Sequence, residues 1–203
     1  MSGTVYVASM NMRGKWAEKP DGTRSINVTS AQSKTGKNRR DFSPMTEYLD
    51  GYKGYWNFES YWQSGKSWDG IDDDVVKAWW AKQKQPKRRF PNSKNMTCTH
   101  AQWEGTAPMG YVESRKKVYV PEYYNMVKGR EMSAYWRNEV LGGADVVVYD
   151  FDGPRMANGT PTCVPVNKEL LVEKIHDTAF PFGHGYIVAS MLAGIPISEY
   201  ITE

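Results

Sequence analysis

Alternation of apolar and polar positions is strong enough in two places to predict strands. Val5-Tyr6-Val7-Ala8-Ser9-Met10 is rich in β formers, and the side chains of a strand point to opposite faces with period two. Asp145-Val146-Val147-Val148-Tyr149-Asp150-Phe151 is the clearest strand of the chain and runs into the turn sequence Asp152-Gly153-Pro154. Between the first strand and residue 40 the chain is polar, basic and rich in Gly, Ser, Thr and Asn, with Ile26-Asn27-Val28-Thr29 as a short strand candidate. A connection that long in a compact domain is functional or disordered more often than idle.

The 3.6-residue period marks the helices. Thr46 to Gly54 is a turn-rich connection around Asp50-Gly51, after which Asn57 is placed to cap a helix running through Glu59, Tyr61, Trp62, Gln63 and Lys66. Asp72-Asp73-Asp74 opens a second helix, Val75 to Lys84, because acids suit the positive end of a helix dipole; Pro86 stops it. Ser114 to Lys128 is ambiguous: Lys117-Val118-Tyr119-Val120 reads as a strand, while Pro121 suits the start of a helix Glu122–Val127. Met132 to Leu141 is a helix ended by Gly142-Gly143, and Lys168 to His176 and Tyr186 to Ala193 are two more, the last preceded by Phe182-Gly183-His184-Gly185. These elements describe an α+β class: one helix-rich domain over residues 1–203 with a few short strands and a basic N-terminal loop region at about 13–40.

Composition adds three points. Eight Trp and thirteen Tyr provide large rigid faces with polar handles, suited to a pocket that stacks on flat groups as well as to plain core filling. No stretch approaches the ~20 apolar residues that span a bilayer, the first residues lack the layout of a secretory signal, and Cys98 and Cys163 are too few for a disulfide framework. Together these predict a reducing, cytoplasmic compartment and no membrane partner. The net charge of +3 is unevenly spread: Arg13, Lys15, Lys19, Arg24, Lys34, Lys37, Arg39 and Arg40 face only Glu18 and Asp21, and residues 77–94 carry seven Lys and Arg and no acid. Such runs are solvated faces or contacts for a phosphate-bearing partner.

Several chemistries are disfavoured. Cys98 and His100 have no second ligand pair, which argues against zinc, and no metal is expected. The three His lie beside no obvious Ser or Cys nucleophile. Neither a phosphate-binding loop nor a dinucleotide fingerprint is present, and no cofactor is expected. Asp150 and Asp152 share a strand face, which suits magnesium or sugar hydroxyls but equally a turn that favours Asp and Gly.

The densest cluster of reactive types is Trp56-Asn57-Phe58-Glu59-Ser60-Tyr61-Trp62-Gln63-Ser64-Gly65-Lys66, preceded by Asp41-Phe42-Ser43-Pro44 and Asp50-Gly51. On a continuous helix Glu59, Gln63 and Lys66 fall at i, i+4 and i+7 and line one face beside Trp62. That stripe is either the polar face of an amphipathic helix or a carboxyl, an amide and an amine gathered for chemistry.

The order Asp-Phe-Ser, Asp-Gly, an aromatic, then Glu-x-Tyr-x-Gln-x-x-Lys resembles the N-terminal signature of the NADAR, or YbiA-like, family. It covers residues 41 to 66, about an eighth of the chain. A looser likeness joins Pro181-Phe182-Gly183-His184-Gly185-Tyr186-Ile187-Val188-Ala189 to the family's Gly-rich turn entering an apolar helix, and Asp150-Phe151-Asp152-Gly153 to its acidic residue and Trp-Gly turn. The chain departs from the pattern at Ser60, where the family has His, at Pro44, where it has Asn, and in the Asn missing from the Gly-rich turn. The basic N-terminal section and residues 84 to 115 have no counterpart.

The resemblance implies a YbiA-like fold and hydrolysis of an N-glycosidic bond between ribose C1 and an amine of a heterocycle. In that reading Lys66 is the nucleophile that exchanges into the opened sugar as a Schiff base, attacking as the neutral amine, and Glu59 shuttles protons. Trp56 and Trp62 stack on the leaving base, Gln63 orients the ribose, and Phe42, Ser43, Asp150, Asp152, Gly183, His184 and Gly185 complete the substrate site. Arg39, Arg40, Arg88 and Arg89 are the phosphate contacts. The two basic runs favour ADP-ribosylated guanine in DNA over a small riboflavin precursor as substrate. That reading suits a phage or viral anti-defence protein acting in the host cytoplasm. A non-catalytic nucleic-acid or ADP-ribose binder is the competing class.

Overall fold

The computed structural model describes residues 1–11 and 15–202; Arg13, the first residue of the basic run, lies outside the described residues. The fold is α+β, helix-rich with short strands. Backbone contacts gather into two compact units, residues 1–43 with 115–203, and residues 44–114.

The first unit is built on a mixed sheet. Its strands are β1 (Val5–Ser9), β2 (Arg24–Asn27), β5 (Val146–Asp150) and β6 (Cys163–Pro165), in the order β2-β5-β1-β6. Strands β1 and β2 run parallel to β5, with Val5 opposite Val146 and Arg24 also opposite Val146, while β6 is antiparallel to β1. Every residue of β5 is buried, as a continuous Val run demands of a strand covered on both faces. One face holds Ala8, Met10, Ala17, Val147 and Tyr149 in a single cluster. Trp16 tilts against the Tyr149 ring at 4.5 Å, and the Tyr149 hydroxyl donates to the Ala17 carbonyl at 2.7 Å.

The other face carries α8 (His184–Ala193), which packs on β1 and β5. This helix is apolar nearly all round and is buried at eight of its ten residues, the signature of a central rather than a surface helix. Around it stand α5 (Val120–Val127) and α6 (Glu131–Leu141); α1 (Lys37–Phe42) packs on α6, and α7 (Lys168–His176) packs on α9 (Ser198–Ile201). The strand predicted at Lys117–Val120 is instead a π-helical turn, Arg115–Tyr119, that runs into α5, with Pro121 in its first turn as expected. The strand predicted over Ile26–Thr29 lies two residues earlier, and the long basic connection contains the helix α1.

The second unit holds α2 (Phe58–Ser64), α3 (Asp73–Ala81), α4 (Tyr111–Ser114), and an antiparallel pair, β3 (Lys66–Trp68) and β4 (Cys98–Ala101). Asn57 caps α2 as predicted, its side chain accepting from the Ser60 amide at 2.8 Å. Asp72 caps α3, whose last residue is Ala81 rather than Lys84. Helix α2 stops at Ser64 with Gly65 as its C-cap, and Lys66 opens a strand. The expected stripe is therefore broken: Glu59 and Gln63 share a helix face, but the i+7 relation to Lys66 does not hold once the chain turns extended.

Among the described residues no helix is long and apolar enough to cross a membrane.

Candidate functional site

Helix α2 positions the reactive cluster of the second unit. Gln63 Nε2 donates to Glu59 Oε1 at 2.7 Å, one turn apart as the 3.6-residue period requires. Buried Trp62 stacks on Trp103, with ring centroids 5.1 Å apart and 17° between planes. The Lys66 amine sits 5.8 Å from the centre of the Trp62 ring, within cation–π range. Trp103 is held by two further contacts: its indole N–H donates to the Tyr61 carbonyl at 2.9 Å, and its ring closely approaches Gly65, where a Cβ would come within 2.1 Å of Trp103 Cε2. Trp56 is half-buried. Ser60 is wholly buried, and its hydroxyl has no hydrogen-bond partner among the described residues.

Beside this cluster opens a cavity of about 490 Å³, within the usual range for small-molecule sites. Tyr55, Tyr61 and Trp103 wall it, Lys53 and Lys77 supply cations, and Glu104 and Ser64 complete the lining. Lys53 lies in the left-handed region, φ 47°, inside the tight Tyr52–Tyr55 bridge, and its amine stands 5.2 Å from the Tyr61 ring centre. Tyr61 and Ser64 belong to the Trp56–Lys66 cluster marked in the sequence and Lys77 to its second basic run, whereas Lys53, Tyr55, Trp103 and Glu104 carry no such mark. The aromatic richness points to a stacking surface, but which rings converge depends on the turn before α2 and the loop after β4, which carry no periodic signal.

A second grouping in this unit links Ser67, Asp73 and His100. Ser67 Oγ donates to Asp73 Oδ2 at 2.9 Å and therefore accepts at its 3.0 Å contact with His100 Nε2. That order is the reverse of a nucleophilic triad, in which the hydroxyl proton goes to His. Burial pushes the neighbouring Cys98 thiol up in pKa, against the pull of the Lys66 ammonium. Among the described residues no cluster of three or more His, Cys, Asp or Glu could hold a metal.

In the first unit the structure brings Asp150, Asp152, Gly183, His184 and Gly185 together. Asp150 Oδ2 accepts from the Gly185 amide at 2.8 Å and lies 3.3 Å from His184 Nδ1. The other imidazole nitrogen donates to the Val28 carbonyl at 2.8 Å. A carboxylate thus already occupies the positive end of α8. The two glycines have a packing role: a Cβ on Gly183 would meet Asp150 Oδ2 at 2.4 Å, and one on Gly185 would meet Asp150 Cβ at 2.6 Å. Asp150 is 2 % exposed, whereas Asp152 is exposed.

Phe42 and Ser43 end α1, are fully buried, and form part of the first unit's packing; the Tyr123 hydroxyl donates to the Phe42 carbonyl at 2.5 Å. Arg40 is gripped by Asp41 at 2.7 Å and Glu131 at 2.9 Å, which raises its pKa, Asp41 contributing most. The same pairing through Lys37 and Arg40 lowers the pKa of Glu131. Arg39 is half-buried on α1, and Arg88 and Arg89 are exposed on the connection after α3. Compared with known proteins, the chain matches no family model, no curated protein and no solved structure.

Proposed function

We propose that this protein is an N-glycosidase that releases ADP-ribose from guanine in DNA, with Lys66 as nucleophile and Glu59 as proton shuttle. The observation that carries the reading is the Lys66 amine over Trp62, which stacks on Trp103, a residue lining the cavity. An amine and an aromatic-walled pocket on one rigid support suit attack on a sugar held by its flat leaving group.

The chemistry runs in three steps. Glu59 protonates the ribose ring oxygen as the C1–O bond opens, and the nitrogen lone pair forms an imine at C1. The neutral Lys66 amine adds to C1 and expels the heterocyclic amine, which takes up a proton, leaving a lysine imine. Water hydrolyses that imine, returning Lys66 and the sugar aldehyde. Gln63, bonded to Glu59, holds the carboxylate in place. The exposed Arg88 and Arg89 supply phosphate contacts.

Incubation with DNA bearing ADP-ribosylated guanine tests the reading. The parent chain is expected to release ADP-ribose and Lys66→Ala to lose turnover by at least a hundredfold at unchanged melting temperature. A Lys66→Ala variant as active as the parent would sink the mechanism.

A second reading, a non-catalytic nucleic-acid or ADP-ribose binder, is favoured by the break in the Glu59–Gln63–Lys66 stripe. It predicts salt-dependent binding with no product in the same assay.

A further inference from the structure

We propose that Glu104 is the general base of the last chemical step, the carboxylate that activates water against the Lys66 imine. The inference rests on the glycosidase reading and adds a second carboxylate to it: Glu59 serves the sugar ring oxygen and Glu104 the hydrolysis.

The chain carries Glu104 to the site on a fixed turn. Strand β3 opens at Lys66, whose partner across the pair is Ala101, and the Gln102 amide donates to the Gly65 carbonyl at 2.7 Å. The segment after β4 therefore starts alongside the nucleophile. A tight turn follows, Trp103 to Thr106, closed by the Thr106 amide on the Trp103 carbonyl at 3.1 Å, with Gly105 at φ 76° in its third position. Thr106 Oγ1 braces it, accepting from the Trp103 amide and donating to the Trp103 carbonyl, both at 2.9 Å. Trp103 itself is fixed by its indole bond to the Tyr61 carbonyl and its stack on Trp62.

Glu104 is the second residue of this turn and supplies the carboxylate of the cavity lining. It is exposed, so water reaches it. Among the described residues its side chain has no hydrogen-bond or ion-pair partner, whereas Glu59 is held by Gln63 and does not line the cavity. A carboxylate on a rigid support with both oxygens uncommitted accepts a proton from water without first breaking another bond. Water adds to C1 of the protonated Lys66 imine while Glu104 takes one of its protons, leaving a neutral carbinolamine. Glu104 then returns that proton to Nζ as the C1–Nζ bond breaks. The C1 hydroxyl gives its proton to solvent and becomes the sugar carbonyl, and Lys66 departs as the neutral amine.

Rapid-quench assays of the full chain on DNA bearing ADP-ribosylated guanine, with and without borohydride in the quench, test this. Glu104→Gln should melt like the parent, its side chain being exposed and unpartnered. It is expected to free unmodified DNA in a single burst and then turn over about a hundredfold more slowly than the parent. Borohydride should fix ADP-ribose on Lys66 of this variant, read by peptide mass spectrometry, while the parent yields free ADP-ribose and little adduct. Formate should restore part of the turnover of Glu104→Ala, a rescue that a merely structural carboxylate would not show. A Glu104→Gln chain that turns over like the parent, one slowed with neither burst nor adduct, or a Glu104→Ala chain that formate does not rescue overturns the proposal and leaves the glycosidase reading standing. A parent chain that releases no ADP-ribose overturns both.

Discussion

Gly65 shows how one missing Cβ shapes the second unit. Its backbone is right-handed, φ −79°, so any residue could adopt it; the indole of Trp103 forbids a side chain there. Gly65→Ala should therefore cost about 1–3 kcal/mol through overpacking and alter the near-ultraviolet circular dichroism of the stacked tryptophans. Gly110→Ala serves as its control, because nothing lies within 4 Å of the added Cβ and the backbone is ordinary; its change should stay within ~0.5 kcal/mol. Equal melting of the two variants would remove the packing argument. Lys53 is the opposite case, a side chain kept where glycine would be easier, at a strain cost on the order of 1 kcal/mol. In Gly183 and Gly185 the close approach is to Asp150, so the Gly-His-Gly turn seats α8 on the sheet.

At the level of elements, the π turn Arg115–Tyr119 explains why a strand-like pattern became helical. Arg115 is 2 % exposed and its guanidinium donates to two carbonyls at the end of α7, Ile175 at 3.1 Å and Asp177 at 2.5 Å, and to that of Phe180 in the following loop at 2.9 Å. The last carbonyls of a helix have no partner within it, and one planar fork satisfies several at once. Arg115→Met should cost about 3 kcal/mol, since it leaves buried acceptors unmet. Arg115→Lys should recover only part, an ammonium being unable to span all three. Urea denaturation measures the cost; faster amide exchange at the end of α7 in Arg115→Met locates it. A variant as stable as the parent would show that water serves these carbonyls equally well.

Across the whole first unit, buried phenols set the response to alkali. Burial pushes the Tyr149 hydroxyl up to about 12, with a smaller contribution from Cys163, and raises Tyr186 and Tyr200 as well. A group whose pKa is higher in the folded chain than the ordinary 10 contributes stability that is complete below pH 10. As pH rises, the unfolded chain loses protons first, so that stability drains away between pH 10 and about 12. Melting temperature should hold to pH 9 and fall steeply across that window. Tyr149→Phe should shallow the fall. A Tyr149→Phe variant that melts with the parent's pH dependence would contradict it.

Patterning alone determined much of this. The two central strands, the capped starts of α2 and α3, and the helices ending near Leu141, His176 and Ala193 are local consequences of period, capping and turn residues, which act within a few positions along the chain. The Glu59–Gln63 pair was legible for the same reason, being one helical turn apart. Tertiary structure decided what depends on partners distant in sequence. Gly65 ends α2 where Trp103 packs against it, so Lys66 leaves the helix face that the 3.6-residue period assigned to it. Val118, Tyr119 and Val120, which alternate like a strand's neighbours, are buried in a helical run beside the Arg115 anchor. The cavity of Lys53, Tyr61, Lys77 and Trp103 draws on residues up to fifty positions apart, joined by turns and packing that no short-range pattern records.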